Sequence, residues 1–277
     1  VDQDKNVFFL VDNDGKFAAF MLNEEADKLI SLKSDINALF NSPVLGYNSK
    51  DDIVYQFWAN RDSHEVYYFD PKTDYAPTTA ISSISWDDPN FPNIEGFGVW
   101  AAKCNFTMGP DGKMYSRMLG GNLVRIDVEN ARGENLTNGD LVGTKDGSAY
   151  GLVFDPQDEN VFYFSNNDKH CIYKYDLRTK ECACWAGQEG KSGYLDGPIG
   201  QAMFNKPGQM CVDSEGKITM STGYVSTLAG KPQNSGYVNG SAEDAQFKKP
   251  LGICIDNDDV MYIGDSENRA IRRLAVE

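Results

Sequence analysis

Histidine can act as a general base or as a zinc ligand, but this sequence contains only His64 and His170. A zinc site or an acid–base pair built on histidine needs several such side chains to converge. Each of the two follows an asparagine, Asn60 or Asn166, by a few residues and precedes a β-rich run, and Arg269 occupies the same place in a third segment. This shared position indicates a structural role at the end of a loop rather than catalysis.

The six cysteines are a second set of residues with possible chemistry. Cys211 and Cys254 each follow a proline by four residues in two similar segments, and equivalent positions of a repeat lie a whole unit apart, so these two should not bond to each other. Cys182 and Cys184 share one face of a predicted strand, but Cys-x-Cys without a second pair is a poor zinc signal. We expect the cysteines to pack in the core, with one disulfide as the alternative, and we predict no metal ligands.

Aspartate and asparagine are plentiful, and their oxygens are the ligands that calcium prefers. However, four of the aspartates each follow a short apolar run, where an aspartate that hydrogen-bonds its own backbone is the usual turn residue. These are Asp12, Asp155, Asp213 and Asp256. We therefore predict no cofactor, and a central calcium ion is kept as the alternative.

Aromatic residues supply the candidate binding surface. The segment 81–100 interrupts the spacing of the predicted strands and carries several aromatic residues and two prolines. Tryptophan rings stack on sugars or anchor protein partners, especially when charged groups lie nearby. The predicted binding residues are Trp58, Arg61, Trp86, Phe91 and Trp100. For Trp86 and Trp100, the alternative is that they fill gaps between sheets.

Composition excludes several functional classes. The net charge of −15 repels a nucleic acid, and the basic residues are scattered rather than clustered. No run of apolar residues is long enough to span a membrane as a helix. The sequence begins at Val1 without an initiator methionine or a signal peptide, so we interpret it as a processed or excised piece of a longer protein.

The elements that would position these residues repeat along the chain. Gly193–Pro207 and Gly236–Pro250 match each other over their whole length, and each is followed by a short apolar strand and an acidic turn. After Gly236–Pro250, a second strand, a polar loop and a third strand follow. Repeats of this size built from short strands are typical of a propeller. The predicted units start near Val7, Pro43, Gly98, Ala149, Pro207 and Pro250.

These units predict an all-β fold, a single six-bladed β-propeller over residues 1–277, in which each blade is a four-stranded antiparallel sheet. The last unit ends after its third strand. We therefore expect a strand at Val1–Asn6, or just upstream, to close the ring as the fourth strand of the last blade, since closure removes an open sheet edge.

The fifth unit is shorter than the fourth. From Asp155 to Ala186 the fourth unit spends 31 residues, whereas the fifth spends 16 from Asp213 to the equivalent Ala229. The deficit equals one strand–loop–strand piece and falls between residues 218 and 225. We predict that about 15 residues are missing from the sequence there, because a lost hairpin would expose sheet edges. True loss of two strands is the alternative.

Two motifs resemble a known family. The run Asp265–Arg272 (Asp-Ser-Glu-Asn-Arg-Ala-Ile-Arg) after Val260–Ile263 is similar to the NHL repeat, and the Gly-Tyr-x-[Asp/Asn]-Gly…Phe-x-Lys-Pro linkers are similar to those of bacterial NHL proteins. The resemblance is sharp from about residue 150 to residue 274. It implies a secreted or surface-anchored bacterial protein, often with an immunoglobulin-like TIG domain upstream of the propeller.

The family resemblance also bears on catalysis. Related propellers include a zinc-dependent amidating lyase and a lyase with a catalytic histidine, and two histidines at a repeat position fit neither. We predict a monomeric, non-enzymatic binding scaffold, in the periplasm or at the cell surface, that recognises a glycan, a peptide or a protein. The alternative is a calcium-dependent hydrolase of the lactonase type, or a lyase.

Overall fold

The computed structural model describes residues 1–13, 16–37, 44–59, 64–82, 84–87, 107–117, 123–137, 151–213 and 224–275. The regular structure of these residues is β-strand, apart from two short 3-10 turns at Pro71–Thr73 and Ser266–Asn268. No helix of the described part is long and apolar enough to cross a membrane. The chain divides into two compact units, Val1–Phe154 and Asp155–Glu277.

The first unit contains three sheets built from strands that are close in sequence. Their orders are β1-β2-β3, β4-β5-β6-β7 and β8-β12-β11-β10-β9, and β13 is the last strand of the unit. The strands are β1 (Val7–Asn13), β2 (Lys16–Leu22), β3 (Leu29–Asn37), β4 (Val44–Asn48), β5 (Ile53–Ala59), β6 (His64–Phe69), β7 (Thr78–Ile81), β8 (Ser85–Trp86), β9 (Thr107–Met108), β10 (Met114–Arg117), β11 (Leu123–Asp127), β12 (Arg132–Asn135) and β13 (Leu152–Phe154).

The alternation of side chains along a strand turns one face of the sheets into the core of the first unit. On β2, for example, Phe17, Ala19 and Met21 are buried, as a strand with one covered face requires. Two apolar clusters result, the first from sheets one and two and the second from sheets two and three. Their buried members are Ala19, Met21, Leu32, Val54 and Phe69 in one, and Val66, Ile81, Ile84, Met114 and Ile126 in the other.

The third sheet differs from the predicted four-stranded antiparallel blade. Strands β9 to β12 pair antiparallel, but the two-residue strand β8 joins the outer edge of β12 in parallel. Strand β8 comes from the irregular segment 81–100, which the sequence places outside the repeat. A segment that breaks the repeat thus contributes a strand to a sheet.

The second unit repeats one three-stranded pattern. Strands β14, β15 and β16 pair antiparallel in sequence order, as do β19, β20 and β21, and a small pair, β17–β18, lies between them in sequence. The strands are β14 (Val161–Asn166), β15 (Cys171–Asp176), β16 (Glu181–Gly187), β17 (Gly197–Pro198), β18 (Tyr224–Val225), β19 (Pro250–Ile255), β20 (Met261–Asp265) and β21 (Ala270–Leu274).

The two linkers of the second unit have the same structure, as their sequences predict. In each, the first glycine donates its N–H to the phenylalanine carbonyl, at 3.0 Å for Gly193 to Phe204 and 3.2 Å for Gly236 to Phe247. Isolated bridges follow at Leu195↔Met203 and Val238↔Gln246. The repeat in sequence is therefore a repeat in backbone hydrogen bonding.

The predicted number of six blades is not confirmed. Within the described residues, five sheets have three or more strands, where six were expected. The physical reason is the short fifth unit: Pro207–Asp213 forms no strand, and only the two-residue strands β17 and β18 pair in this part of the chain. The predicted gap between residues 218 and 225 lies mostly outside the described residues, as do the predicted unit starts at 43, 98 and 149.

The predicted closing strand is not observed at Val1–Asn6. These residues form a turn instead, in which the Asp2 carboxylate accepts hydrogen bonds from the backbone N–H of Asn6 at 2.8 Å and from its side-chain amide at 2.9 Å. The hydroxyl of Tyr75 donates to the same carboxylate at 2.6 Å. Because a buried aspartate satisfied in this way holds the turn, the segment has a local structural role.

Candidate functional site

Of the five predicted binding residues, one has a described side chain. Arg61, Phe91 and Trp100 lie outside the described residues, and Trp58 is placed by its backbone alone, opposite Glu65 in the β5–β6 pair. Only Trp86 has a described environment. The described part of the chain therefore does not test whether the predicted set comes together.

Trp86 lies half-buried over a glycine. Strand β8 pairs Trp86 with Gly133 of β12, and a Cβ atom placed on Gly133 would overlap the six-membered ring of the indole. The ring also packs against the apolar cluster that contains Ile84 and Met114. Trp86 thus fills a gap at the edge of the third sheet, which is the alternative interpretation given above.

A charged cleft lies beside Trp86 on the outer face of the third sheet. Its volume is about 210 Å³, and it contains three acidic and three basic side chains. Strands β11 and β12 supply most of them, because alternation turns these side chains outward while Val124 and Ile126 turn inward. The lining residues are Asp87, Lys113, Arg125, Asp127, Arg132, Gly133 and Glu134.

Cross-strand pairing holds the charges of the cleft in place. Arg125 lies opposite Glu134 and donates to its carboxylate through Nε, at 3.0 Å, and through Nη2. Lys113 Nζ is 3.2 Å from Asp127 Oδ2. Within the described part of the chain, Arg132 is exposed and forms no ion pair, so its guanidinium is free to bind a ligand.

The electrostatics of the cleft keep one of its carboxylates ionised. Hydrogen bonds from Asn130, together with Lys113, lower the pKa of Asp127, so this carboxyl stays charged. A general acid needs the opposite shift. The lining residues include no histidine, cysteine or serine that could serve as a nucleophile. The cleft can donate and accept hydrogen bonds on both sides of a polar ligand.

His170 has a structural environment. Its Nδ1 accepts the backbone N–H of Lys206 at 3.1 Å, and its own φ is +56°, in the left-handed region. Arg269, the equivalent residue of the last unit, has a φ of +53°. The shared position is thus the left-handed residue that ends the loop before a strand. The side chain of His64 lies outside the described residues.

Asp155 and Asp256 make the turn contacts that were predicted for them. Asp155 Oδ1 accepts the N–H of Gln157 at 2.9 Å, and Asp256 Oδ1 accepts that of Asp258 at 2.9 Å. Each also bonds a tyrosine of the following strand: the hydroxyl of Tyr163 donates to Asp155 at 3.0 Å, and that of Tyr262 to Asp256 at 3.2 Å. Burial and these carboxylates raise the pKa of both tyrosines. Among the described residues, no group of three or more His, Cys, Asp or Glu is arranged to hold a metal ion.

Sequence reasoning missed the cleft for a physical reason. Its residues come from strands whose alternation is visible in the sequence, but Lys, Arg, Asp and Glu on an outer face are also what a solvated strand shows. Their concentration in one place depends on the pairing of β10, β11 and β12, which is not a local property. The sequence did contain one signal: in both Arg125–Asp127 and Arg132–Glu134, a basic and an acidic residue stand two positions apart and so face the same side of a strand.

Comparison with known proteins supports the fold. No family model matches the sequence, and no curated protein matches it. A protein of unknown function from Bacteroides thetaiotaomicron matches with a TM-score of 0.76 and 19% identity, over 100% of this chain and 73% of that one. A B. thetaiotaomicron protein described as an auxiliary nutrient binding protein matches with a TM-score of 0.69 and 18% identity, over 96% of this chain and 68% of that one.

A third B. thetaiotaomicron protein, provisionally described as a phosphatase, matches with a TM-score of 0.65 and 17% identity, over 98% of this chain and 71% of that one. The Bacteroides neighbours are β-propeller proteins, and this chain is accordingly an all-β propeller. At such identities the likeness concerns the fold, which hosts many functions.

Proposed function

We propose that this protein is a non-enzymatic binding protein that takes up an uncharged, polyhydroxylated ligand, such as an oligosaccharide, in the cleft of the third sheet. The observation that carries the proposal is the balanced lining of the cleft, which has three acidic and three basic side chains. Paired carboxylates and guanidinium groups bind neighbouring hydroxyls from both sides.

The overall charge favours a neutral ligand. A protein with a net charge of −15 repels anionic ligands at long range, whereas a polyol feels no such force. The cleft itself carries no excess of either sign. The description of one structural neighbour as a nutrient binding protein agrees with a role of this kind.

The proposal extends to location and architecture. A nutrient-binding role places the protein outside the cytoplasm, in the periplasm or at the cell surface. We also propose that the units are NHL-type repeats downstream of a TIG-like domain. The proposed architecture has a sixth blade in addition to the five observed sheets. The last sheet, β19–β21, has three strands, so we also propose a ring-closing strand as its fourth.

Calorimetry of the purified chain with a panel of neutral, acidic and amino sugars tests the function. Arg132→Ala should weaken binding of the preferred sugar at least about tenfold, because a charged hydrogen bond contributes about 1.5–3 kcal/mol. Arg178→Ala, which removes an exposed arginine of the second unit, is the matched control and should bind as the parent does. Equal affinity of both variants would place the ligand elsewhere.

The second candidate is a calcium-dependent hydrolase, and the provisional phosphatase among the structural neighbours is the reason to test it. Assays with a phosphomonoester, a lactone and an ester panel, with calcium and with a chelator, separate the two functions. Turnover that is lost on chelation would replace the binding proposal. Sugar binding without turnover would support it.

A further inference from the structure

Two cysteines of the second unit share one face of the β14–β16 sheet. Tyr173 of β15 lies opposite Cys184 of β16, and Cys171 lies opposite Gly187. Because side chains of a strand alternate and paired residues point the same way, Cys171, Tyr173 and Cys184 all project from one face. The two cysteines are diagonal neighbours, with a glycine rather than a side chain at the position opposite Cys171.

A β-bulge lies between the positions of the two cysteines. The register shifts between Ile172 and Tyr173, so Trp185 is an extra residue on β16 that has no partner in the ladder. Bulges bend a strand and redirect neighbouring side chains. Here Cys184 Sγ lies 3.8 Å from the carbonyl oxygen of Gly187, the residue that faces Cys171. The sulfur atom therefore points along its own strand toward Cys171.

The two thiols differ in environment as an attacking and a resolving cysteine do. Cys171 is fully buried, whereas Cys184 is exposed. The interaction between the two thiols lowers the pKa of Cys184 and raises that of Cys171, which burial raises further. Cys184 is thus the thiol that a reagent in solvent reaches, and its lowered pKa favours reaction as the thiolate, whereas Cys171 is the buried partner.

We propose that Cys171 and Cys184 form an intrachain disulfide when the protein meets a disulfide oxidant. The Cys184 thiolate attacks one sulfur of the oxidant and releases the other as a thiolate, which leaves a mixed disulfide on Cys184. The Cys171 sulfur then attacks Cys184 Sγ and expels the second thiolate. The Cys171 proton and a solvent proton neutralise the products, so two protein thiols are oxidised and one disulfide is reduced to two thiols.

Cys182 is the internal control that the chain offers. It lies on the same strand two residues before Cys184 and on the same face, but its partner across the ladder is Tyr175. Cys182 lies outside the bulge, and it is two residues farther from Cys171 along the strands than Cys184 is. A disulfide formed by proximity in the folded sheet should use Cys184 and leave Cys182 in the thiol form.

The experiment oxidises the folded chain of 277 residues with oxidised glutathione, blocks the remaining thiols with an alkylating agent in denaturant, and digests the protein with trypsin without reduction. Cleavage after lysine separates His170–Lys174 from Glu181–Lys191, so a crosslinked pair of these peptides reports the bond. The pair should form in the parent and in Cys182→Ser, and should be absent from Cys184→Ser. Reduction should lower Tm by about 5–10 °C in the first two proteins alone.

Two results would overturn the proposal. One is alkylation of Cys171 in the oxidised parent, which would show that it had stayed a thiol. The other is a crosslink that persists in Cys184→Ser, which would assign the bond to Cys182. Cys184 is exposed, so its replacement by serine should leave the fold intact, and circular dichroism of the reduced variant verifies this point.

Discussion

The β14–β16 and β19–β21 sheets follow the same sequence pattern, yet they are held together differently. All six residues of β14 are buried, whereas on the equivalent β20 only Asp265 is buried. In the former sheet, Phe164 stacks on Tyr173 with ring centroids 5.4 Å apart, and Phe162 packs on Tyr175 at 5.0 Å. The β14–β16 sheet is therefore stabilised mainly by burial of aromatic surface.

The β19–β21 sheet depends instead on one polar anchor. Arg272 Nη1 donates to the buried Asp265 carboxylate at 2.9 Å, and its guanidinium also donates to the carbonyls of Gln246 and Val238. The rings of Tyr237 and Phe247 lie 5.0 and 4.9 Å from the guanidinium carbon. A repeat motif therefore specifies the strands and loops of each sheet. The extent to which a sheet is buried determines whether apolar packing or polar contacts stabilise it.

Removing a ring from the β14–β16 sheet should have the largest effect. Phe162→Ala leaves a cavity in a fully buried site and should lower the free energy of unfolding by about 3–5 kcal/mol. Met261→Ala is the matched change on β20, where the residue is only partly buried, and should cost less than half as much. Urea denaturation of both variants measures the difference, and equal losses would remove the contrast between the sheets.

Breaking the Arg272–Asp265 ion pair of the β19–β21 sheet should cause the second-largest loss of stability. Arg272→Met keeps the length of the side chain but leaves the Asp265 charge buried without its partner, which should cost about 3 kcal/mol. The double variant Arg272→Met with Asp265→Asn should recover part of that loss, because no bare charge is then buried. Failure of the second change to recover stability would show that aromatic stacking, not the ion pair, is the important contact.

A glycine precedes each of the two linkers, and the two glycines differ in their surroundings. Gly187 and Gly230 have φ angles of +94° and +89°, which penalise any side chain by about 1 kcal/mol. A Cβ on Gly187 would also lie 3.0 Å from the carbonyl of His170, whereas at Gly230 its nearest neighbour is the Phe247 ring at 3.2 Å. Thermal melts should show Gly187→Ala to be about 1 kcal/mol worse than Gly230→Ala, and the reverse order would contradict this reasoning.

The smallest expected effect tests the structural role of histidine. His170→Ala removes the acceptor of the Lys206 N–H and should cost about 1 kcal/mol in unfolding free energy, with ligand affinity unchanged. Asparagine tolerates the left-handed conformation and offers an acceptor, so His170→Asn should be nearly neutral. A loss of ligand binding in either variant would give His170 a functional role after all.

Local features of the fold were predictable from the sequence, because local residues determine them. The matched linkers, the turn aspartates Asp155 and Asp256, and the strand alternation were all confirmed. The blade count was not, since it assumed that each linker is followed by a full sheet. Whether Pro207–Asp213 pairs as a strand depends on partners elsewhere in the chain, which the linker does not specify.

The candidate site was harder to predict, because it depends on pairing across strands. Trp86 attracted attention as an aromatic residue in an irregular segment, but its position over Gly133 follows from the parallel β8–β12 pair. The cleft beside it requires Arg125 of β11 to pair with Glu134 of β12, and this pairing depends on the register of two strands that a turn connects. Sequence identifies which side chains face outward, and only the sheet determines which of them meet.

The short parallel strand β8 has a consequence for solubility. Ser85 donates its N–H to the carbonyl of Ala131, just before β12, at 2.8 Å, and Asp87 donates its N–H to the carbonyl of Gly133 in β12, at 2.9 Å. Both bonds occupy main-chain acceptors at the rim of that sheet. An open rim of this kind would offer a template for another polypeptide to add a strand. Strand β8, with the bulky indole of Trp86, therefore covers the β12 edge of the third sheet and hinders edge-to-edge pairing with another molecule.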